Sequence, residues 1–102
     1  GQFDRVYKLR RSAGDDLFVV YAAPNGAAQS RLGLSVGRRV GDAVRRNRVK
    51  RLLREAFRTS QDLPAGFDFV VVPAKRSCNA PLDTVKSSLV TLALMACKRC
   101  EK

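Results

Sequence analysis

The segment from Arg45 to Arg58, Arg-Arg-Asn-Arg-Val-Lys-Arg-Leu-Leu-Arg-Glu-Ala-Phe-Arg, constrains the fold more than any other. Val49, Leu52, Leu53, Ala56 and Phe57 recur at i, i+3, i+4, i+7 and i+8, the spacing of one apolar stripe along a helix. On the same wheel Asn47, Arg51, Arg54 and Arg58 gather on the opposite side, flanked by Arg48 and Lys50. The segment therefore predicts a helix that docks on a core through one face and holds a cationic row on the other. Like charges at i, i+3 and i+4 repel, by about 0.2–0.5 kcal/mol per pair. Only Glu55 relieves them locally. A merely solvated helix face usually mixes signs, and this one hardly does. From Arg31 to Arg58 ten basic residues stand against two acids, Asp42 and Glu55, a local net of +8 in a chain whose total is +11. A polyanion would neutralise such a row, and nucleic acid is the foremost candidate.

A chain of 102 residues suffices for one domain, residues 1–102, that buries roughly two-thirds of its unfolded surface. With 45% hydrophobic residues it can form a true core, which excludes a disordered basic tail. A pI near 10.6 fits a phosphate-binding module. No apolar run approaches the roughly 18 residues of a membrane span, and no signal-peptide pattern is present, so a soluble cytoplasmic protein is expected. The three cysteines, Cys78, Cys97 and Cys100, are odd in number and argue against a disulfide framework. Cys97-Lys98-Arg99-Cys100 has the spacing of half a zinc site, but with no histidine a four-ligand site needs a carboxylate. Both cysteines project onto the apolar stripe of the last helix, which favours buried thiols over metal ligands.

In order along the chain, residues 2–11 suggest a first helix, with Phe3, Val6 and Tyr7 on one side and Arg5, Lys8, Arg10 and Arg11 supplying charge. Ser12 to Asp16 ends it. Leu17 to Ala23 is a β-branched and aromatic run that reads as a strand, and Pro24-Asn25-Gly26 marks a turn. Arg31 to Gly37 reads as a second strand. Its alternation sends Leu32, Leu34 and Val36 one way and Gly33, Ser35 and Gly37 the other. A Gly/Ser face leaves room for something to approach the backbone, and Tyr21 would share that floor; a bulge or a strand packed under a loop reads equally well. Asp42 is a candidate N-cap for the central helix. Phe67 to Pro73 is nearly continuous in apolar residues and predicts a central strand. A loop with Lys75 and Arg76 follows. Leu82, Val85, Leu89, Leu92, Ala93 and Ala96 then trace a final helix to about Arg99. The order α-β-β-α-β-α predicts an α/β fold, a single-domain α-β sandwich.

Catalytic constellations are missing. The chain has no histidine, and of its nine acids only Asp15 and Asp16 are adjacent. No nucleophile-and-base pair, phosphate loop or metal-ligand cluster appears, so no metal site is expected in the protein. The residues point to a binder that does not catalyse alone.

From Arg31 to Glu55 the chain reads Arg-Leu-Gly-Leu-Ser-Val-Gly-Arg-Arg-Val-Gly-Asp-Ala-Val-Arg-Arg-Asn-Arg-Val-Lys-Arg-Leu-Leu-Arg-Glu. This stretch closely resembles the family of bacterial ribonuclease P protein subunits, and Arg46-Asn47-Arg48 resembles that family's RNR signature. The resemblance extends to Phe3-Asp4 with Tyr7, to Phe18-Val19-Val20-Tyr21 and to Gly66-Phe67-Asp68-Phe69-Val70-Val71, covering about residues 3–75. The final helix matches only in position and amphipathicity. The resemblance implies a partner RNA that is itself the catalyst and cleaves precursor tRNA at the 5′ end of the mature sequence, using Mg2+ bound mainly by the RNA. The protein subunit would hold the 5′ leader and support the RNA and its ions. Arg46, Asn47, Arg48, Lys50, Arg51 and Arg54 would face the catalytic RNA, and Arg38, Arg39, Arg45 and Arg58 join them as neighbouring basic residues. Phe3, Tyr7 and Tyr21 would line the leader cleft, with Ser35 on its floor. The family also implies a left-handed crossover around the central helix, against the usual hand.

Arg38 and Arg39 stand where the family commonly has lysines, which keeps the charge and changes the hydrogen-bond geometry. Cys97 and Cys100 match no role in the family. Two other classes share some of these features. A structural RNA-binding protein of a ribosome-like particle would have the same basicity and fold type. A DNA-binding module would lay the central helix in the major groove, but an arginine face without a base-reading pattern argues against DNA, and no membrane partner is expected.

Overall fold

Seven-residue runs rich in valine and aromatics become the two long strands, and the segments with helical spacing become the two long helices. The computed structural model describes residues 12–100. The helix expected over residues 2–11, with Phe3, Tyr7, Arg10 and Arg11, lies outside them. Within them the order is β1 (Ser12–Gly14), β2 (Phe18–Pro24), β3 (Arg31–Leu34), α1 (Ala43–Thr59), β4 (Phe67–Pro73) and α2 (Leu82–Cys100). Short 3-10 turns occupy Arg38–Val40 and Lys75–Asn79.

The sheet order is β1-β2-β4-β3. β4 is flanked on both edges, as its nearly continuous apolar run predicts. β1, β2 and β4 are antiparallel in turn, while β3 runs parallel to β4. Parallel neighbours cannot be joined by a hairpin, so the chain crosses over, and α1 makes that crossing.

Both helices cover one face of the sheet. Phe18, Val20, Phe69 and Val71 meet Val49, Leu53 and Ala56 of α1 and Val85, Leu89, Leu92, Ala93 and Ala96 of α2 in one buried cluster. Each large aliphatic side chain buried there contributes about 1.5–3 kcal/mol. Phe57 packs edge-on against Phe69 with ring centroids 6.3 Å apart. Leu52 and Phe57 remain half-buried, because they sit at the two margins of the stripe.

Several expectations are corrected. Ser12–Gly14, expected as part of a turn, is strand β1, so the sheet has one strand more than the sequence predicts. Three residues are too few to show a period, and their structure comes from pairing with Val19–Tyr21. The turn after them is tied by Asp15, whose Oδ1 accepts from the backbone N–H of Leu17 and Phe18 at 2.8 and 3.2 Å. β3 stops at Leu34 rather than Gly37, although Ser35 N–H still donates to Val71 O at 3.0 Å. Beyond it the chain bends into the 3-10 turn. Lys75–Asn79, expected as loop, is also a 3-10 turn.

The entry to α1 is closely built. Asp42 caps it, accepting from Arg45 N–H at 3.0 Å, a device that contributes about 1 kcal/mol. Just before it Gly41 holds φ 145°, where a Cβ would lie 2.7 Å from the Arg45 side chain. This position therefore takes glycine, and it lets α1 start immediately after the Arg38–Val40 turn.

Candidate nucleic-acid interface

α1 displays the cationic row as its spacing predicts. Asn47, Arg51, Arg54 and Arg58 are exposed opposite the buried Val49, Leu53 and Ala56. Arg48 is exposed on one flank and Lys50 half-buried on the other. A shallow groove of about 460 Å³ runs along this face, lined by Asn47, Lys50, Arg51, Arg54, Glu55 and Arg58. Glu55 pairs with Arg58, whose Nε donates to Oε2 at 3.3 Å. Among the described residues Arg45, Arg48, Lys50, Arg51 and Arg54 make no ion pair.

The placement of charge works against the helix itself. The first turn holds no acid, and Arg45, Arg46 and Arg48 crowd the positive end of the helix dipole. Val44 in that turn is 77% exposed. Arg46 is half-buried, and its Nε is out of solvent without a hydrogen-bond partner. A helix that tolerates these arrangements is suited to a surface that brings negative charge to it.

The basic surface continues past the end of the sheet. Because β3 and β4 are parallel, the 3-10 turns that follow them emerge at the same end. The Cys78 thiol donates to Val40 O at 2.9 Å and ties one turn to the other. Exposed Arg38 and Arg39 thus come near exposed Lys75 and Arg76, two basic residues that no motif in the sequence marks as part of a site. Arg76 is paired with Asp16 at 3.2 Å. No local pattern joins residues 38–40 to 75–79; only the parallel register does.

The face of the sheet turned away from the helices has a different character. Tyr21 of β2 and Gly33 of β3 both register with Val70 of β4, so they lie in one row across the sheet. Half-buried Tyr21 packs against Ala23 and Val70. Ser35, two residues beyond Gly33, is exposed. Leu32, Leu34 and Val36 pack on the core, as the alternation predicts. Tyr21 and Ser35 thus belong to this side, while Phe3 and Tyr7 lie outside the described residues.

In the adjacent row stands a polar node that the sequence did not single out. Asp68, only 4% exposed, registers with Arg31 on one side and Ala23 on the other. Arg31 grips it with a fork, Nε to Oδ1 at 2.7 Å and Nη2 to Oδ2 at 2.6 Å. The hydrogen bonds it donates to the Asp68 carboxylate hold the Arg31 guanidinium above its ordinary pKa. The signal available in sequence was a lone acid inside an apolar run, but its partner is 37 residues away.

Of the cysteines, Cys97 is buried in the core and Cys100 Sγ lies 3.2 Å from Ala22 O, so both pack where the stripe of α2 predicts.

A family model described as ribonuclease P matches residues 1–97. The chain is 39% identical over 92 residues to the ribonuclease P protein component of Caldanaerobacter subterraneus subsp. tengcongensis, covering 89% of this chain and 79% of that protein. It is 41% identical over 91 residues to the ribonuclease P protein component of Brevibacillus brevis, covering 87% and 72%. The solved ribonuclease P protein from Thermotoga maritima superposes with a TM-score of 0.79 at 38% identity, over 87% of this chain and 86% of that one. The Staphylococcus aureus ribonuclease P protein superposes with a TM-score of 0.79 at 32% identity, over 95% and 89%. By sequence and by fold, the chain belongs to the family of bacterial ribonuclease P protein components.

Proposed function

We propose that the protein binds the catalytic RNA of ribonuclease P through α1 and the 5′ leader of precursor tRNA through the outer face of the sheet. It thereby assists 5′ maturation of tRNA in the bacterial cytoplasm without an active site of its own. The observation that carries this reading is the helix face itself: exposed Arg48, Arg51 and Arg54 lack acid partners among the described residues, while the other side of the same helix is locked in the core. Each phosphate these side chains neutralise releases counterions, which supplies affinity without reading sequence. Arg38, Arg39, Arg45, Arg46, Asn47, Lys50 and Arg58 extend the RNA-facing surface. Tyr21 offers a ring on which an unpaired leader base stacks, above a floor kept low by Gly33.

On this reading Mg2+ is bound mainly by the RNA. Among the described residues no three His, Cys, Asp or Glu side chains gather into a ligand set. The protein's own contribution is to place the leader and to screen phosphate repulsion where the RNA holds its ions.

The test is reconstitution with a bacterial ribonuclease P RNA and a leader-bearing precursor tRNA. The protein should lower the magnesium concentration needed for cleavage at the 5′ end of the mature sequence. An unchanged magnesium requirement, with RNA binding retained, would point instead to a purely structural RNA-binding role.

A further inference from the structure

We propose that Arg31, clamped by the buried Asp68, is a second stacking platform for an unpaired leader base, and that Asp68 is the residue that positions it. The inference rests on the reading that the leader lies on the outer face of the sheet.

The register places the node beside the floor already described. Arg31, Asp68 and Ala23 form one row, and Gly33, Val70 and Tyr21 form the next. A strand lying over the low Gly33 position has Tyr21 on one side and the Arg31 guanidinium diagonally across. The two-point grip of Asp68 fixes the plane of that guanidinium. Asn25 reinforces it: its Nδ2 donates to Asp68 Oδ1 and to Gln29 O, each at 3.0 Å, while its Oδ1 accepts from Ala27 N–H at 2.7 Å. The turn between β2 and β3 is thus built around the same carboxylate.

Exposure is divided unequally across the pair. The Asp68 side chain is 6% exposed and the Arg31 side chain 45%. A carboxylate on a leader-binding floor would repel phosphates, but here it is paired with the arginine, which is the more exposed of the two. A fold that needed only packing at this position could continue the apolar patch of Ala23 and Val70, since ion pairs of this kind are often replaceable by hydrophobic residues without loss of stability. What the pair adds is a fixed orientation. Unpaired RNA bases stack on arginine planes as well as on aromatic rings.

The pair is also neutral overall, unlike the row on α1. Its contact with RNA should therefore contribute affinity with little counterion release.

The test uses holoenzyme reconstituted with a bacterial ribonuclease P RNA, and compares affinity for leader-bearing precursor with affinity for mature tRNA. The double variant Arg31→Gln with Asp68→Asn keeps the net charge. It should lose about fivefold or more in affinity for the precursor, with mature tRNA unaffected and the slope of log affinity against log salt unchanged. Equal losses for both substrates, or no loss, would overturn the proposal. Thermal melting of the free protein is followed alongside. If the double variant fails to fold, Arg31→Lys keeps the charge and removes the planar fork; a leader-specific loss supports the proposal and its absence overturns it. Tyr21→Ala is measured in parallel. A leader-specific loss there without one at Arg31 overturns this inference and leaves the leader reading standing. No leader-specific loss at either position overturns both.

Discussion

The solvent face of α1 and the outer face of the sheet lie on opposite layers of the molecule, and they are built from opposite materials. α1 presents long, exposed cations, with Arg58 the one that is ion-paired among the described residues. The sheet face presents Gly33, a half-buried Tyr21 and an Arg31–Asp68 pair held by a two-point fork and braced by Asn25. The first suits a partner whose phosphates are many and whose bases are hidden in helices, because charge alone recognises a backbone. The second suits a partner whose bases are exposed, because planes and close backbone approach recognise bases. On the proposed function, the two faces would hold two RNAs apart by chemistry as well as by position.

The comparison breaks most visibly if the charge on α1 is reversed. Arg51→Glu with Arg54→Glu should weaken binding of the catalytic RNA about a hundredfold or more and flatten the salt slope by roughly one to two, as phosphate contacts disappear. An unchanged slope would remove α1 from the RNA interface. Tyr21→Ala is the counterpart on the sheet: loss of one stacked base, about 1–3 kcal/mol, should reduce affinity for the leader-bearing precursor about tenfold and leave mature tRNA unaffected. Removing the cap with Asp42→Ala should cost about 0.5–2 kcal/mol of stability by thermal melting. RNA affinity should change only as far as the start of α1 frays. The smallest effect is expected far from both faces. At Asp15 burial pushes the carboxyl pKa up, but hydrogen bonds from Ser88 and from the N–H groups of Leu17 and Phe18 outweigh it and leave it below the usual value. A depressed carboxylate stabilises the fold above its unfolded pKa and loses that contribution as pH falls through the folded one. Asp15→Asn should therefore flatten the acid side of the melting profile, below about pH 4, while both RNA affinities at neutral pH stay the same.

How far the sequence foretold this structure depended on the range of the interactions involved. α1 was legible because its apolar stripe and cationic row are properties of one continuous segment, and Asp42 announces its start. The central position of β4 followed from an apolar run with no solvent face. β1 was not legible, since Ser12–Gly14 has no pattern of its own and is a strand only because β2 lies beside it. The early end of β3 was hidden for a similar reason. The alternation continues to Gly37, but pairing with β4 fades after Ser35 as the chain turns toward α1. On the wheel Leu52 and Phe57 looked like core, yet a wheel shows direction and not how far the neighbouring layer reaches. Within the candidate site, the α1 residues, Tyr21 and Ser35 lie on the surfaces that spacing and alternation indicated. The Arg31–Asp68–Asn25 node and the joining of the two basic turns by Cys78 and Val40 were out of reach. They depend on the parallel register of β3 with β4, which no local stretch encodes.

The most direct test of two faces with two kinds of physics is a salt titration of the reconstituted holoenzyme. Two quantities are followed over the same range: the affinity of the protein for the catalytic RNA, and the ratio of affinities for leader-bearing precursor and mature tRNA. The first should fall steeply with log salt, since it rests on the unpaired cations of α1, and the second should fall with a clearly shallower slope, since it rests on stacking and a neutral pair. Equal slopes would contradict the account, because the leader would then be held by charge in the same way as the catalytic RNA.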